Sequence, residues 1–384
     1  MRIAILCHNM HIAGGGGYVV GINVANCLKR VAPNHQFLLI APVDCDYENV
    51  ELPAGSKVVL VDQRKSLFAR WKYHKFKIPK IIKDFGTDVV FGLANLAIVR
   101  PGCKQAMALG DAHHVYSAKH YIRDRLPARV REWFLRHELR KSLPYIDLVF
   151  CQTPVTKKRF ADVFNYPEDK IKIMPSAISE VLMAVKEEQI GVPEIFRQGR
   201  YFNMFYLTKY YIHKNLEILI EIFRRFPEKL KDVRCIITVL PSQNHNARVF
   251  IDKIKKYKLE NQIVSVGYLS QEKLAGYFVN SDAVFFPTTL ESFSSTYLEA
   301  MYFKTPILTS DLDFAHYVCD EAAIYFDPWN PADVVDKILL LKNNDKLREE
   351  LVSKGRERVC RFFISWEKIV ADVIKELEIL VDKH

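Results

Sequence analysis

The sequence predicts an α/β protein of two tandem doubly wound parallel-sheet, Rossmann-like domains, on three observations. Short apolar runs rich in β-branched and aromatic residues recur along the chain, helix-length segments separate them, and the alternation pauses once, over Ser176–Arg200, before it restarts. Strands that are apolar at every position belong to sheets covered on both faces, and a helix between strands is the usual link in a parallel sheet. With 384 residues, 49% hydrophobic and 26% charged, the chain can fill two cores, and a disordered, collagenous or disulfide-stapled protein is excluded.

In the first domain the strand-like runs are Arg2–Cys7, Gln36–Ala41, Lys57–Asp62, Asp88–Leu93, Gln105–Asp111, Asp147–Gln152 and Lys172–Pro175. The pause contains Gly191, Pro193, Gly199 and several acids and reads as an interdomain connection. The second set is Tyr201–Leu207, Cys235–Leu240, Ile263–Gly267, Ala283–Pro287, Pro306–Ser310 and Ala323–Phe326. From about Phe362 the tail is an amphipathic helix, with Trp366, Ile369, Val370, Val373, Ile374, Leu377 and Leu380 near helical spacing. Ligands of such sheets bind at the carboxyl ends of the strands, so the loops there are the places to look for chemistry.

The N-terminal apolar run stops at His8-Asn9, too short for a signal peptide, and no run approaches the ~18 residues of a spanning helix. Eight cysteines are scattered without a Cys-x-x-Cys pair, mostly in apolar runs, as expected of free buried thiols in a reducing cytoplasm. Together these lead to the expectation of a cytoplasmic protein. The formal net charge of +10 suits an anionic partner without choosing among nucleic acid, membrane surface and anionic substrate.

Four groups of residues carry candidate chemistry. Gly14-Gly15-Gly16-Gly17 precedes an expected helix Tyr18–Val31, where backbone N–H groups and the helix N-terminus suit an anion, although the dinucleotide fingerprint Gly-x-Gly-x-x-Gly cannot be laid over this run and a plain flexible loop fits it as well. Gly21 inside that helix suits close packing. Asp44 reads as an ordinary loop acid. Glu291-Ser292-Phe293-Ser294-Ser295-Thr296-Tyr297-Leu298-Glu299 follows a strand, with Ser294 or Ser295 as N-cap of a helix; Glu291 then sits in the loop and Glu299 about one turn into the helix, leaving N–H donors between two carboxylates. Lys209 and Lys214 lie five residues apart after the strand Tyr201–Leu207 and suit a diphosphate. Asp111, His113 and His114 end another strand and suit sugar hydroxyls; no third ligand has the spacing a metal site needs. Each group taken alone is also compatible with ordinary solvated or satisfied loop residues.

Together these motifs resemble the retaining, family-4-type glycosyltransferases with the GT-B fold and its Glu-x7-Glu motif. The similarity spans nearly the whole chain: the Gly14–Gly17 loop, Asp111 and His114 as Asp-x-x-His, Ile173-Met174-Pro175-Ser176-Ala177 as the strand-to-hinge segment, Lys209 where arginine is usual, Lys214, Glu291 and Glu299, and the last strands Thr309–Leu312 and Ala322–Pro328. Ser292 and Ser294 stand where glycines are usual, Gly110 where a histidine is common, and Tyr317 where a glutamate is common. The resemblance implies domains of residues 1–180 with 362–384 on the acceptor side, the Trp366 helix crossing back, and 195–361 on the donor side. It implies metal-independent transfer of a hexosyl group, with retention, from a nucleotide sugar to a glycan or lipid-linked acceptor in polysaccharide or glycolipid assembly. A UDP-hexose such as UDP-glucose is the expected donor and GDP-mannose the alternative. Glu299 is expected to hold the ribose and Glu291 the sugar hydroxyls, Lys209 and Lys214 with the N–H groups of Ser294 to Thr296 the diphosphate, and His114, beside Asp111, the donor sugar. Gly15, Gly16, Gly17, Tyr268, Leu269, Ser292 and Phe293 complete the donor-binding set. No cofactor or metal is expected, and Asp44-Cys45-Asp46 and Asp311-Leu312-Asp313 read as structural acids.

Two stretches hold much of the first domain's basic charge: Arg64–Lys80 has seven lysines and arginines, and Lys119–Lys141 has eight against three acids, interleaved with Tyr121, Trp133, Phe134, Leu135 and Leu139. They suit peripheral contact with an anionic membrane face, or equally solvated helix faces over an ordinary core. A basic nucleic-acid-binding protein and a nucleotide-sugar epimerase are the readings from other classes; the first gives the paired glutamates no task and lacks zinc-finger or RNA-recognition spacing. Base, sugar, acceptor and oligomeric state are not legible in the sequence.

Overall fold

A computed structural model describes residues 1–10, 16–43, 45–62, 67–117, 126–197, 201–362 and 364–382. Gly14, Gly15, Asp44, Arg64 and Tyr121 lie outside the described residues. The chain divides into two compact units, one from the N-terminus to Ser176 together with the segment from Ile364 onward, the other beginning at Ala177.

The first unit is built on a seven-stranded parallel sheet: β1 (Arg2–Leu6), β2 (Gln36–Pro42), β3 (Lys57–Val61), β4 (Val89–Gly92), β5 (Lys104–Ala108), β6 (Leu148–Cys151) and β7 (Ile171–Ile173), in the order β3-β2-β1-β4-β5-β6-β7. The second carries six parallel strands, β8 (Phe202–Tyr206), β9 (Val233–Ile237), β10 (Ile263–Ser265), β11 (Ala283–Phe286), β12 (Ile307–Ser310) and β13 (Ala323–Phe326), in the order β10-β9-β8-β11-β12-β13. All thirteen fall on the expected runs, with ends shifted by up to three residues: β5 and β9 begin earlier than expected and stop three residues short of Asp111 and Leu240. The inner strands β4, β8, β9, β11 and β12 are buried at every position, which explains why they read as largely apolar runs, with Asn203, Arg234, Thr309 and Ser310 as buried polar exceptions. The edge strands β3, β7 and β10 admit Lys57, Lys172 and Ser265 to their surfaces.

Each sheet grows outward from its first strand in both directions, because successive crossovers of one hand place β2 and β3 on one side and β4 onward on the other. The loops after β1 and β4, and those after β8 and β11, therefore diverge to opposite faces and leave a crevice between them.

One expectation changes, the start of the first helix. The first helix runs Gly16–Val31, so two of the four glycines form its opening turn instead of a loop before it. The connection after Ser176 is packed structure: it has short helical turns at Glu180–Met183 and Glu187–Gln189, Ser179 hydrogen-bonds Gln271, and Arg234 donates to the Ile195 carbonyl at 2.9 Å. Gly21 is needed for close approach, since a Cβ there would lie 2.3 Å from the hydroxyl of the fully buried Tyr47. The tail helix, Trp366–Asp382, packs on Gly16–Val31 within the first unit and buries Trp366, Ile369, Val370, Val373, Ile374 and Leu377. Arg30–Glu367 and His35–Glu378 ion pairs edge this contact. The cysteines are free; Cys360 is exposed and Cys103 half-buried, the other six buried. No helix among the described residues is long and apolar enough to cross a membrane.

Candidate functional site

The crevice of the second unit is walled by the loops after β8 and β11. After β8 the chain passes through Lys209 to a single 3-10 turn, Ile212–Lys214, closed by Asn215 in the left-handed region, φ 51°. Asparagine is among the few residues besides glycine that adopt that conformation readily, and its side-chain amide donates to the distant Pro328 carbonyl at 2.9 Å, which anchors the turn. The Tyr206 hydroxyl, rising from the sheet, donates to the Lys214 carbonyl at 2.8 Å and fixes the turn from below.

The loop after β11 is stitched to this turn. The Thr289 N–H and hydroxyl both donate to the His213 carbonyl, at 2.7 and 3.1 Å. Two residues on, the chain delivers Glu291, whose Oε1 pairs with Lys214 Nζ and lies 3.1 Å from the Thr288 hydroxyl. Both charged side chains are largely buried, 20% exposed for Lys214 and 13% for Glu291. Lys214 therefore enters the site with a carboxylate already beside its ammonium group. Lys209 stands on the same loop, between Thr208, which is tied to Thr238 at the end of β9, and Tyr210.

Ser294 is the N-cap residue of the helix Ser295–Tyr302, as expected, but its side chain makes no capping bond. The opening N–H groups are not capped by that hydroxyl, and helix geometry leaves the first of them without intrahelical partners. Glu299, just over one turn in, folds back so that its Oε1 accepts from the Ser295 hydroxyl at 3.2 Å. Its Oε2 is buried without a partner. Burial outweighs the bonds from Ser295 and Thr296 and raises this carboxyl to about 7. Ser292 and Phe293 are buried in the loop between the glutamates. Tyr268 is exposed and Leu269 half-buried after β10, following Gly267 with φ 75°.

In the first unit, Asp111 does not pair with His114 through its side chain. Its carboxylate takes the neighbouring His113 instead, through ring Nδ1 and backbone N–H. Burial works to raise the Asp111 carboxyl, but the His113 bonds and the His114 charge hold it below the usual carboxylate range. His114 is buried, its imidazole lowered by burial, with Nδ1 3.2 Å from both the Asp111 carbonyl and the Asn95 amide. Asn95 also accepts from the Gly110 N–H at 3.0 Å. It stands in a turn with two successive left-handed residues, Ala94 (φ 50°) and Asn95 (φ 64°), a costly backbone for alanine. The turn closes tightly on Gly92, where a Cβ would lie 1.7 Å from the Leu96 carbonyl oxygen. Gly16 and Gly17 open their helix, with no neighbour close to Gly16. Sequence reasoning missed Asn95 and the buried His8 beyond β1; an asparagine after Gly-Leu-Ala and a histidine ending an apolar strand were the available signals.

Of the Asp-x-Asp triplets, Asp46 accepts from the Tyr18 hydroxyl at 3.1 Å and Asp311 pairs with His316 at 2.6 Å. Among the described residues no three metal-ligating side chains cluster.

Residues 193–358 match the model of the glycosyl transferases group 1 family. The O-antigen chain mannosyltransferase B of Escherichia coli is 22% identical over 254 residues, covering 66% of this chain and 65% of its own length. The chain thus spans just under two thirds of that relative. Among solved structures, the sucrose-phosphate synthase of Thermosynechococcus elongatus superposes with a TM-score of 0.76 at 15% identity, with both chains fully covered. Anabaena HepE, solved with UDP and glucose, gives 0.74 at 15% identity over 98% of this chain and 99% of its own. At these identities the likeness is one of fold, and it is the fold of the GT-B glycosyltransferases.

Proposed function

We propose that the protein is a retaining, metal-independent glycosyltransferase that moves a hexosyl group from a nucleotide sugar to a glycan or lipid-linked acceptor. The observation that carries this reading is the buried, unpartnered Glu299 oxygen on the helix that follows the loop of the Lys214–Glu291 pair, at the strand-order reversal of the unit whose residues 193–358 match the group 1 model. Buried acceptors are normally satisfied, and a sugar hydroxyl supplies the missing donor.

In this reading Glu299 accepts from the ribose hydroxyls. Glu291, held by Lys214 and Thr288, accepts from hydroxyls of the transferred sugar. Lys209, Lys214 and the N–H groups of Ser294 to Thr296 stabilise the diphosphate as charge builds on it, which lowers the barrier because the leaving group is most anionic as the bond breaks. The C1–O bond to phosphate breaks and the C1–O bond to the acceptor forms on the same face through an oxocarbenium-like state, the leaving phosphate oxygen taking the acceptor proton. Asp111 and His114 supply polar groups of the first unit to the sugars. A UDP-hexose such as UDP-glucose is the proposed donor, supported by the fold shared with HepE; the mannosyltransferase relative favours GDP-mannose as the second reading.

A thermal-shift panel of UDP, GDP, ADP and TDP tests this. One nucleoside diphosphate is expected to stabilise the protein by about 2.7 kcal/mol at a hundred times its Kd, equally with and without EDTA. No shift with any nucleotide removes the donor site, and a shift that EDTA abolishes removes metal independence.

We further infer that the first unit touches an anionic membrane face where a lipid-linked acceptor lies. Trp133 and Phe134, on the helix Leu126–Ser142 that also carries Arg129, Arg136, Arg140 and Lys141, are more than half exposed, and so is Phe76 beside Lys75 and Trp71. Aromatic side chains among cations suit a headgroup layer. Co-sedimentation with phosphatidylglycerol vesicles, lost at high salt and in a Trp133→Ser/Phe134→Ser variant, is the expected result; failure to co-sediment at any salt rules the contact out.

A further inference from the structure

At the carboxyl end of β1, beside the strand-order reversal of the first sheet, His8 is buried and its Nδ1 has no hydrogen-bond partner. The groups on its other side determine where the protons lie. His74 Nε2 is 3.1 Å from the Ala97 carbonyl oxygen, which only accepts, so His74 carries its proton on Nε2. His74 Nδ1 is then a lone pair 3.3 Å from His8 Nε2, and His8 Nε2 must donate. His8 Nδ1 is left as a second lone pair, buried and unanswered. A buried acceptor in that state destabilises the fold, and a ligand able to donate would recover that cost.

The backbone is shaped to hold this relay. The helix from Leu67 to Phe85 widens into a π-turn over Tyr73–Lys77, where the Ile78 N–H bonds the Tyr73 carbonyl five residues back. Pro79 follows at once; it has no N–H to donate and its ring disfavours a regular preceding turn. The widened turn carries His74, which ties the segment after β1 to the one after β4, the two sides of the crevice where ligands of such sheets bind.

We propose that His8 Nδ1 accepts a hydrogen bond from a hydroxyl of the acceptor sugar, and that His74 is the positioning residue that fixes its tautomer; this rests on the sugar-transfer reading above. The chemistry selects the partner: a neutral lone pair accepts from O–H, whereas carboxylate or phosphate oxygens have no proton to give. Burial and the neighbouring His74 lower the His8 imidazole to about 3, so it binds the hydroxyl without removing its proton. It parallels Glu299 in the second unit, another buried acceptor at a strand-order reversal.

The test uses the full chain labelled with 15N-histidine, imidazole spectra assigned through His8→Gln and His74→Gln, and methyl α- and β-glycosides of glucose, mannose and galactose as probes. Both rings are expected as neutral Nε2–H tautomers from pH 5.5 to 8, with His8 Nδ1 unbonded. At least one glycoside moves the His8 Nδ1 signal, and His74→Gln weakens that titration about tenfold, the worth of one hydrogen bond, while the other histidine signals stay in place. A proton on His8 Nδ1, a charged His8 at pH 7, an Nδ1 already bonded by a trapped water, or no response to any glycoside overturns the proposal. A His8 response in a protein that binds no nucleotide upholds this site and defeats the transfer reading; nucleotide binding without a His8 response does the reverse.

Discussion

Replacing Glu299 by glutamine is expected to make the ligand-free protein more stable at pH 8, by up to about 3 kcal/mol, while weakening nucleoside diphosphate binding roughly a hundredfold. The stability effect follows from linkage. Burial raises the carboxyl from 4.5 to about 7, so below pH 4.5 it is neutral in both folded and unfolded chains and contributes nothing. Between 4.5 and 7 the unfolded chain ionises first and gains, and above 7 the folded state bears the full difference, about 1.4 kcal/mol for each tenfold change in proton affinity. Wild type and Glu299→Gln should therefore converge at pH 4.5 and separate as the pH rises, measured by urea denaturation. Binding changes the other way, because a hydroxyl bonded to the unpartnered carboxylate oxygen is worth about 1.5–3 kcal/mol, up to roughly a hundredfold in affinity. Since the hydroxyls bind the ionised form, wild-type affinity should climb from pH 6 to 8 and the variant's should not. Equal stabilities at pH 5 and pH 8 would show that Glu299 is not held protonated by burial.

Lys214→Met is expected to destabilise the protein by about 3–5 kcal/mol and to abolish transfer. The methionine fills the space but leaves the largely buried Glu291 carboxyl without its ammonium partner, keeping the Thr288 hydroxyl, and removing one member of a buried ion pair is costly. The double variant Lys214→Met/Glu291→Gln should regain most of the stability without activity, because it removes charge and countercharge together. Urea denaturation of wild type, Lys214→Met, Glu291→Gln and the double variant closes the cycle. A single variant as stable as wild type would mean that solvent or another cation serves Glu291, and the pair would then have no structural task.

Much of the architecture was legible because buried parallel strands leave a simple trace. Phe202–Tyr206 and Ala283–Phe286 are covered on both faces, so their runs are almost wholly apolar, and the run itself marks the strand. The helix start was legible to within a residue, at Ser294 or Ser295, from small hydroxyl residues before a helix-forming segment, although the Ser294 side chain makes no capping bond. The glycine run was half misread because glycine marks loops and helix openings alike, and only the packing of Gly21 on Tyr47 shows how close the helix lies to its neighbours. Asp111 was matched with His114 by motif spacing, whereas the backbone turn brings His113 within reach of its carboxylate.

By itself, then, the sequence determined two parallel-sheet domains, the loops at their strand ends, and the residue types gathered there, since these depend on patterns within ten residues or so. The tertiary structure alone decided the partners. Lys214 and Glu291 are 77 positions apart and meet because β8 and β11 are neighbours at a strand-order reversal. His8 and His74, 66 apart, meet because a π-turn widens a helix beside the corresponding reversal in the first sheet. Which acceptors remain unsatisfied is likewise a property of the packed interior: Glu299 Oε2 and His8 Nδ1 are costly only once burial has removed the water that would otherwise have bonded them.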